Sequence, residues 1–271
     1  MSWLIEPLAY QFMQRGLLAS VIVGVLCAVM GTYVVLRGLA FLGDAIAHAI
    51  LPGVAVAYLF GSNLLVGAGV AAVIVALSIG LFSRQGEVKE DTAIGIMFAA
   101  ALSLGVALIS SMKTYAVDLS HILFGNVLGV SPSDLWMIAG LSLAILLTVG
   151  LLFKPFLIIS FDPVLAATLR LPAELLRNLM LVLLALTVVV SLQTVGVSLA
   201  AAMLVTPAAT AYLLTRRLLP MMAVSALIGA LSSMIGLYLS YYLNIVSGSS
   251  IVLTATLFFL FAFLWKRRKS I

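Results

Sequence analysis

Apolar runs of close to twenty residues, each broken by a charge, a glycine or a proline, recur from one end of the chain to the other. They fall at 16–36, 40–60, 62–82, 93–111, 133–153, 178–195, 198–215, 221–242 and 250–265. A bilayer core about 30 Å thick takes about 20 helical residues per crossing, so the pattern predicts nine membrane spans. No run alternates polar and apolar positions, which excludes barrel strands and leaves uninterrupted α-helices, whose backbone satisfies itself in lipid. The least secure division is at Thr194 to Ser198, where Gly196 alone interrupts two short runs; merging them gives eight spans. Small residues four apart, Gly24 with Ala28, Gly67 with Ala71, Gly95 with Ala99 and Gly229 with Ser233, predict closely packed helices. The expected fold class is all-α: a polytopic transmembrane helix bundle forming one domain over residues 1–271.

Composition strengthens this picture. The 271 residues are 64% hydrophobic and 8% charged, against roughly 45–50% and about 25% in soluble domains. No room is left for a soluble catalytic domain, and a transport role rather than an enzyme is expected. Cys27, the single cysteine, excludes a disulfide framework. Glu6 interrupts the N-terminal region and the first long run begins after Arg15, so no cleaved leader is expected. With nine spans and the Lys266 to Lys269 tail inside, twelve of fourteen basic residues lie on the inner side and only Arg15 and Lys113 outside. The positive-inside rule therefore predicts N-terminus out and C-terminus in. The net charge of +5 is then a matter of orientation, not of nucleic-acid binding. Trp3, Trp136 and Trp265 fall near span ends, the aromatic-belt position against membrane lipid.

A charge inside a span costs about 2.5–3.5 kcal/mol on insertion scales, so each one is a functional candidate. In FLGDAIAHAILPGVA, Asp44 and His48 lie four apart and share a helix face, with Pro52 opening the backbone ladder beside them. A carboxylate and an imidazole one turn apart suit a divalent cation such as Zn²⁺ or Mn²⁺. Two side chains do not complete a coordination sphere; a carbonyl freed at Pro52, water or a second copy of the chain are the remaining sources. Weak coordination suits transit rather than storage, and the bland alternative is a buried Asp–His hydrogen bond. A second pair, Asp118 and His121, lies in the outside segment between the fourth and fifth runs, as an ion-receiving site or a plain surface helix. On the inside, residues 155–177 begin a short helix with Asp162 as cap and Pro163 in its first turn, stopped by Pro172. That element is a spacer or a docking surface for a cytoplasmic partner.

No GxxxxGK[ST], CxxC, HExxH or GxSxG pattern occurs, so energy for uphill transport must come from another chain. A proton relay through Asp44 and His48 in a secondary transporter is the rival reading, and a haem held by His48 and His121 a poorer one. The stretches VMGTYVVLRGLAFLGDAIAHAILPGVA, EDTAIGIMFAAALSLGVALIS, DLSHILFGNVLGV and TVGVSLAAAMLVTPAATAYLLTRRL resemble the permease subunit of bacterial ATP-binding-cassette importers for manganese, zinc or iron. The resemblance implies a homodimeric channel in the bacterial cytoplasmic membrane, with two cytoplasmic ATPase subunits below and an extracytoplasmic metal-binding protein above. It implies no permanently bound cofactor, only a transported metal ion. It places Asp44 and His48 on the translocation path. It makes the segment at about 161–175, with Asp162, Pro163, Ala166, Leu169 and Leu171, the coupling helix that docks into the ATPase.

Overall fold

The computed structural model describes residues 6–84, 88–111, 127–161 and 163–269. Among these the regular structure is all helical, with no strand. The helices are α1 Gln11–Leu36, α2 Leu42–Ala49, α3 Leu51–Leu59, α4 Leu64–Phe82, α5 Glu90–Ser110, α6 Pro132–Leu151, α7 Phe153–Phe161, α8 Pro163–Thr168, α9 Ala173–Val195, α10 Val197–Leu214, α11 Leu218–Leu243 and α12 Ser247–Lys269. Each predicted run overlaps one or more of them. Among the described residues eight stretches are long and apolar enough to cross a membrane, and the ninth run corresponds to α10, whose stretch Ala200–Leu214 is shorter. The break ahead of α10 is a single residue, Gly196, at φ 83° and ψ 170°. That backbone region is essentially closed to any side chain, which is why the glycine stands there.

Two of the predicted elements differ. The run 40–60 is not one uninterrupted helix: α2 stops at Ala49, Ile50 stands between, and Pro52 occupies the first turn of α3. Proline has no N–H for the carbonyl four residues back and is tolerated only near a helix start, so the crossing divides there. The inside segment from 155 contains more helix than expected, because Pro155 sits in the first turn of α7 rather than ending a span.

The chain divides into two compact units, one holding α1, α10, α11 and α12, the other α2 to α5 with α7, α8 and most of α9. In the first, α1 packs on α10 and α11, and α12 on α10 and α11. A Cβ on Gly24 would meet the Gly229 carbonyl oxygen at 2.8 Å, and one on Gly229 would meet Ala28 Cβ at 3.0 Å. The two small-residue pairs read separately from the sequence are therefore halves of one contact. The buried Ser225 hydroxyl donates to the Ala28 carbonyl at 2.8 Å in the same interface. In the second unit Gly53 of α3 and Gly67 of α4 approach until a Cβ on either would strike the other's carbonyl oxygen, with Ala57 and Ala71 alongside. Gly95 is different: a Cβ there would meet nothing within 4 Å, so this small-residue pair makes no close contact within the described chain.

Lipid tails are as apolar as leucine, so this backbone proximity, and not hiding of apolar surface, holds the helices together. Gly229→Leu should therefore lower the thermal midpoint of the detergent-solubilised protein, by the roughly 1–3 kcal/mol of an overpacked contact. Gly140→Ala, where a Cβ would meet nothing within 4 Å, should leave the midpoint unchanged or raise it slightly.

Candidate functional site

Helix α2 is only eight residues long, and Leu42, Gly43, Ala45, Ile46, Ala47 and Ala49 are all buried. The two positions left partly open are Asp44, with a side chain 39% exposed, and His48, at 27%. They continue a stripe that starts at exposed Phe41 and reaches Pro52 at the head of α3. Spacings of three and four place these residues on one face. The exposure of both side chains argues against the alternative of a fully buried packing pair. Open to hydrocarbon, such a pair would carry the full insertion penalty, so the face is suited to water or another protein surface.

The local geometry settles which atoms are committed. The His48 Nδ1–H donates to the Asp44 main-chain carbonyl at 3.0 Å. The Asp44 carboxylate oxygen is 3.5 Å from the same nitrogen, beyond good hydrogen-bond length. With Nδ1 holding the proton, Nε2 carries the lone pair, and the tautomer suits a metal ligand held by a backbone carbonyl behind it. The ring lies edge-on to Phe98 of α5, centroids 5.9 Å apart, and Phe98 is also edge-on to Phe41 at 5.5 Å. Phe98 is thus a wall of the site that sequence periodicity did not single out, since it lies about fifty residues away with no polar atom to mark it. Pro52 offers no N–H to the His48 carbonyl, which accepts instead from the Ile50 N–H at the helix end. Among the described residues no group of three or more His, Cys, Asp or Glu residues is arranged to hold a metal. Next to this stripe an apolar groove of ≈ 550 Å³ runs between α3, α4 and α5, lined by Pro52, Val56, Val70, Met97 and Leu104.

The other predicted residues divide. Asp118, His121 and Asp162 lie outside the described residues. Pro163 begins α8. Ala166 is wholly buried, whereas Leu165 and Leu169 are 43% and 53% exposed. Past the end of α8 at Thr168, Arg170 stands at φ 54°, and the Leu171 N–H reaches back to the Ala166 carbonyl at 3.0 Å. That is the six-to-one bond of a Schellman cap, formed before Pro172 and with arginine where glycine is usual. Beyond it, α9 is pinned to the end of α4. The Arg177 guanidinium donates to the Gly80 and Ser83 carbonyls at 2.9 and 3.2 Å, and Arg84 pairs with Glu174 at 2.9 Å. The carbonyls that a helix end leaves unsatisfied are met by a side chain from α9. In the sequence Arg177 is only one of the inner-side cations, with nothing local to mark this role.

Comparison with known proteins gives a consistent result. The ABC 3 transport family matches residues 9–266. The manganese transport system membrane protein MntC of Halalkalibacterium halodurans is 47% identical, over 98% of this chain and 91% of that protein. The manganese import system permease protein ScaB of Streptococcus parasanguinis is 44% identical, over 94% of this chain and 90% of that protein. A probable iron transport system membrane protein of Haemophilus influenzae is 40% identical, over 98% of this chain and 97% of that one. Among solved structures, a chain of PsaBC from Streptococcus pneumoniae in complex with Fab superposes with a TM-score of 0.84 at 42% identity, covering 96% of this chain and 94% of that one.

The hydrogen bond at Nδ1 is directly measurable. With His121→Gln leaving His48 as the sole imidazole, nitrogen NMR of the labelled protein should report the neutral Nδ1–H tautomer. A dominant Nε2–H form would show that the Asp44 carbonyl does not hold the ring.

Proposed function

The chain belongs to the ABC 3 transport family and is a multi-pass membrane permease of a metal-ion importer, and on that premise we propose that a divalent transition-metal ion passes through it by way of Asp44 and His48. The observation that carries the proposal is the open stripe on an otherwise buried helix, with a carboxylate beside an imidazole whose Nε2 lies on the ring edge away from the tethered Nδ1. The names of the relatives favour Mn²⁺, with Fe²⁺ and Zn²⁺ served by the same oxygen and imidazole donors. One chain offers two side-chain ligands, so the coordination sphere is completed by a backbone carbonyl near Pro52, by water, or by the same stripe of a second copy in a homodimer. The adjoining apolar groove fits such a partner surface. A site of this kind holds the ion briefly and lets it leave. Asp118 and His121 are proposed as an outer receiving pair, facing an extracytoplasmic metal-binding protein.

The N-terminus is placed outside and the basic C-terminus inside by the positive-inside rule. On that orientation α8 faces the cytoplasm, where a dimer of ATPase subunits supplies the energy. The segment at 161–175 is the coupling element, with Asp162 and Pro163 at its start. Leu169, together with exposed Leu165, is the surface offered to the ATPase, and Ala166 and Leu171 anchor it from behind.

Asp44→Asn and His48→Ala should each reduce metal uptake by the assembled complex by at least about tenfold, the lower range for losing even a ligand's hydrogen-bond partner. Assembly with the ATPase should be retained. Uptake at the wild-type rate in both variants defeats the assignment, and uptake that depends on the proton gradient but not on ATP would favour the relay instead.

Leu169→Asp probes the other end of the same reading. It should weaken ATPase capture and uncouple hydrolysis from uptake; undiminished capture and uptake would make α8 a spacer.

A further inference from the structure

At its C-terminal end α12 stays helical through Trp265 to Lys269, carrying four consecutive cations at its tip. Arg267 and Arg268, with Phe261, Leu264 and Trp265, line a pocket of ≈ 370 Å³. Phe261 and Trp265 also belong to an adjoining crevice of ≈ 330 Å³, whose other walls include Thr210 and Leu214 of α10, Ile228 of α11 and Phe258 of α12. A cationic pocket thus opens into an apolar one through two shared aromatic side chains. Helix α10 ends at Leu214, and Arg216 and Arg217 follow within three residues, adding two more cations near the crevice wall. No aspartate or glutamate occurs after Glu174, so this part of the chain has no acid of its own to pair with them. None of the ion pairs among the described residues involves Arg216, Arg217, Arg267 or Arg268.

We infer that this pocket and crevice form a binding site for an anionic phospholipid, the phosphodiester lying against Arg267 and Arg268 and an acyl chain lying in the crevice past Phe261 and Trp265. Charge complementarity selects the headgroup. Cations next to the end of a membrane helix attract anionic lipid with a factor of about five for each Lys or Arg. The crevice selects a lipid over a free phosphate, because inorganic phosphate has nothing to place between Ile228, Phe258 and Leu214. Trp265 at the junction is the amphipathic side chain suited to that depth.

Trp265 provides the readout. The full-length protein carrying Trp3→Phe and Trp136→Phe is reconstituted in phosphatidylcholine nanodiscs containing a minor fraction of dibrominated phosphatidylglycerol. Parallel discs contain the same fraction of dibrominated phosphatidylcholine. Brominated phosphatidylglycerol should quench Trp265 well beyond its mole fraction, and brominated phosphatidylcholine only in proportion to it. Arg267→Gln with Arg268→Gln should weaken the preference about twenty-five-fold, two factors of about five. High salt should weaken it in the unsubstituted arginine background, which tests the site without relying on the variant's folding. Inorganic phosphate should not displace the quencher. Equal quenching by both lipids overturns the proposal. So does displacement by phosphate alone, or a purified ATPase subunit that shields Trp265 from both lipids, which makes the surface a protein interface.

Discussion

Helices in a bilayer gain nothing by hiding leucine from lipid, so the bundle depends on how closely its backbones approach. Gly24 against Gly229 in one unit and Gly53 against Gly67 in the other express that constraint directly. Each places a carbonyl oxygen where a methyl group would otherwise stand. The second contact matters for function as well as for packing. It holds α3 against α4 one residue past Pro52, the residue that divides the second crossing.

The proposed site grows out of that division. A continuous helix would have bonded the His48 carbonyl to the residue four further on, whereas at the break the Ile50 N–H meets it, beside an imidazole whose Nδ1 is tethered to the Asp44 carbonyl. Phe98, edge-on to both His48 and Phe41, restricts the ring from the side of α5. The result is a short polar stripe on an otherwise buried helix, arranged with few ligands rather than many. That suits the family's task of moving a metal ion across the membrane.

The far end of the same unit shows how a distant segment is tied to this one. Arg177 caps the end of α4 through the Gly80 and Ser83 carbonyls, and Glu174 reaches Arg84 beside it. Both residues lie just beyond α8 and its Schellman turn at Arg170. The beginning of α9 is therefore fastened to α4, and α4 in turn to α3. A contiguous set of hydrogen bonds and glycine contacts runs from the proposed coupling segment to the helix that follows the proposed metal-ligand pair. The contact sequence is a physical connection between the two, and the coupling itself is tested by transport.

Much of this protein follows from the sequence alone, because the terms involved are local. Twenty apolar residues cross a bilayer whatever their neighbours are. A charge within them is costly wherever the helix packs, which is how Asp44 and His48 stood out, and Gly196 and Pro52 mark breaks by their own backbone chemistry. What the sequence left open were meetings between distant residues. The pairs Gly24 with Ala28 and Gly229 with Ser233 were visible separately, but not that they meet, nor that Gly95 meets nothing. Phe98 beside His48, Arg177 on the α4 carbonyls, and the shared walls at Phe261 and Trp265 carry no local pattern, since each depends on which faces of two helices come together. Local energetics fixed which segments enter the membrane and which polar groups are expensive there; only the tertiary packing decided which side chains those polar groups face.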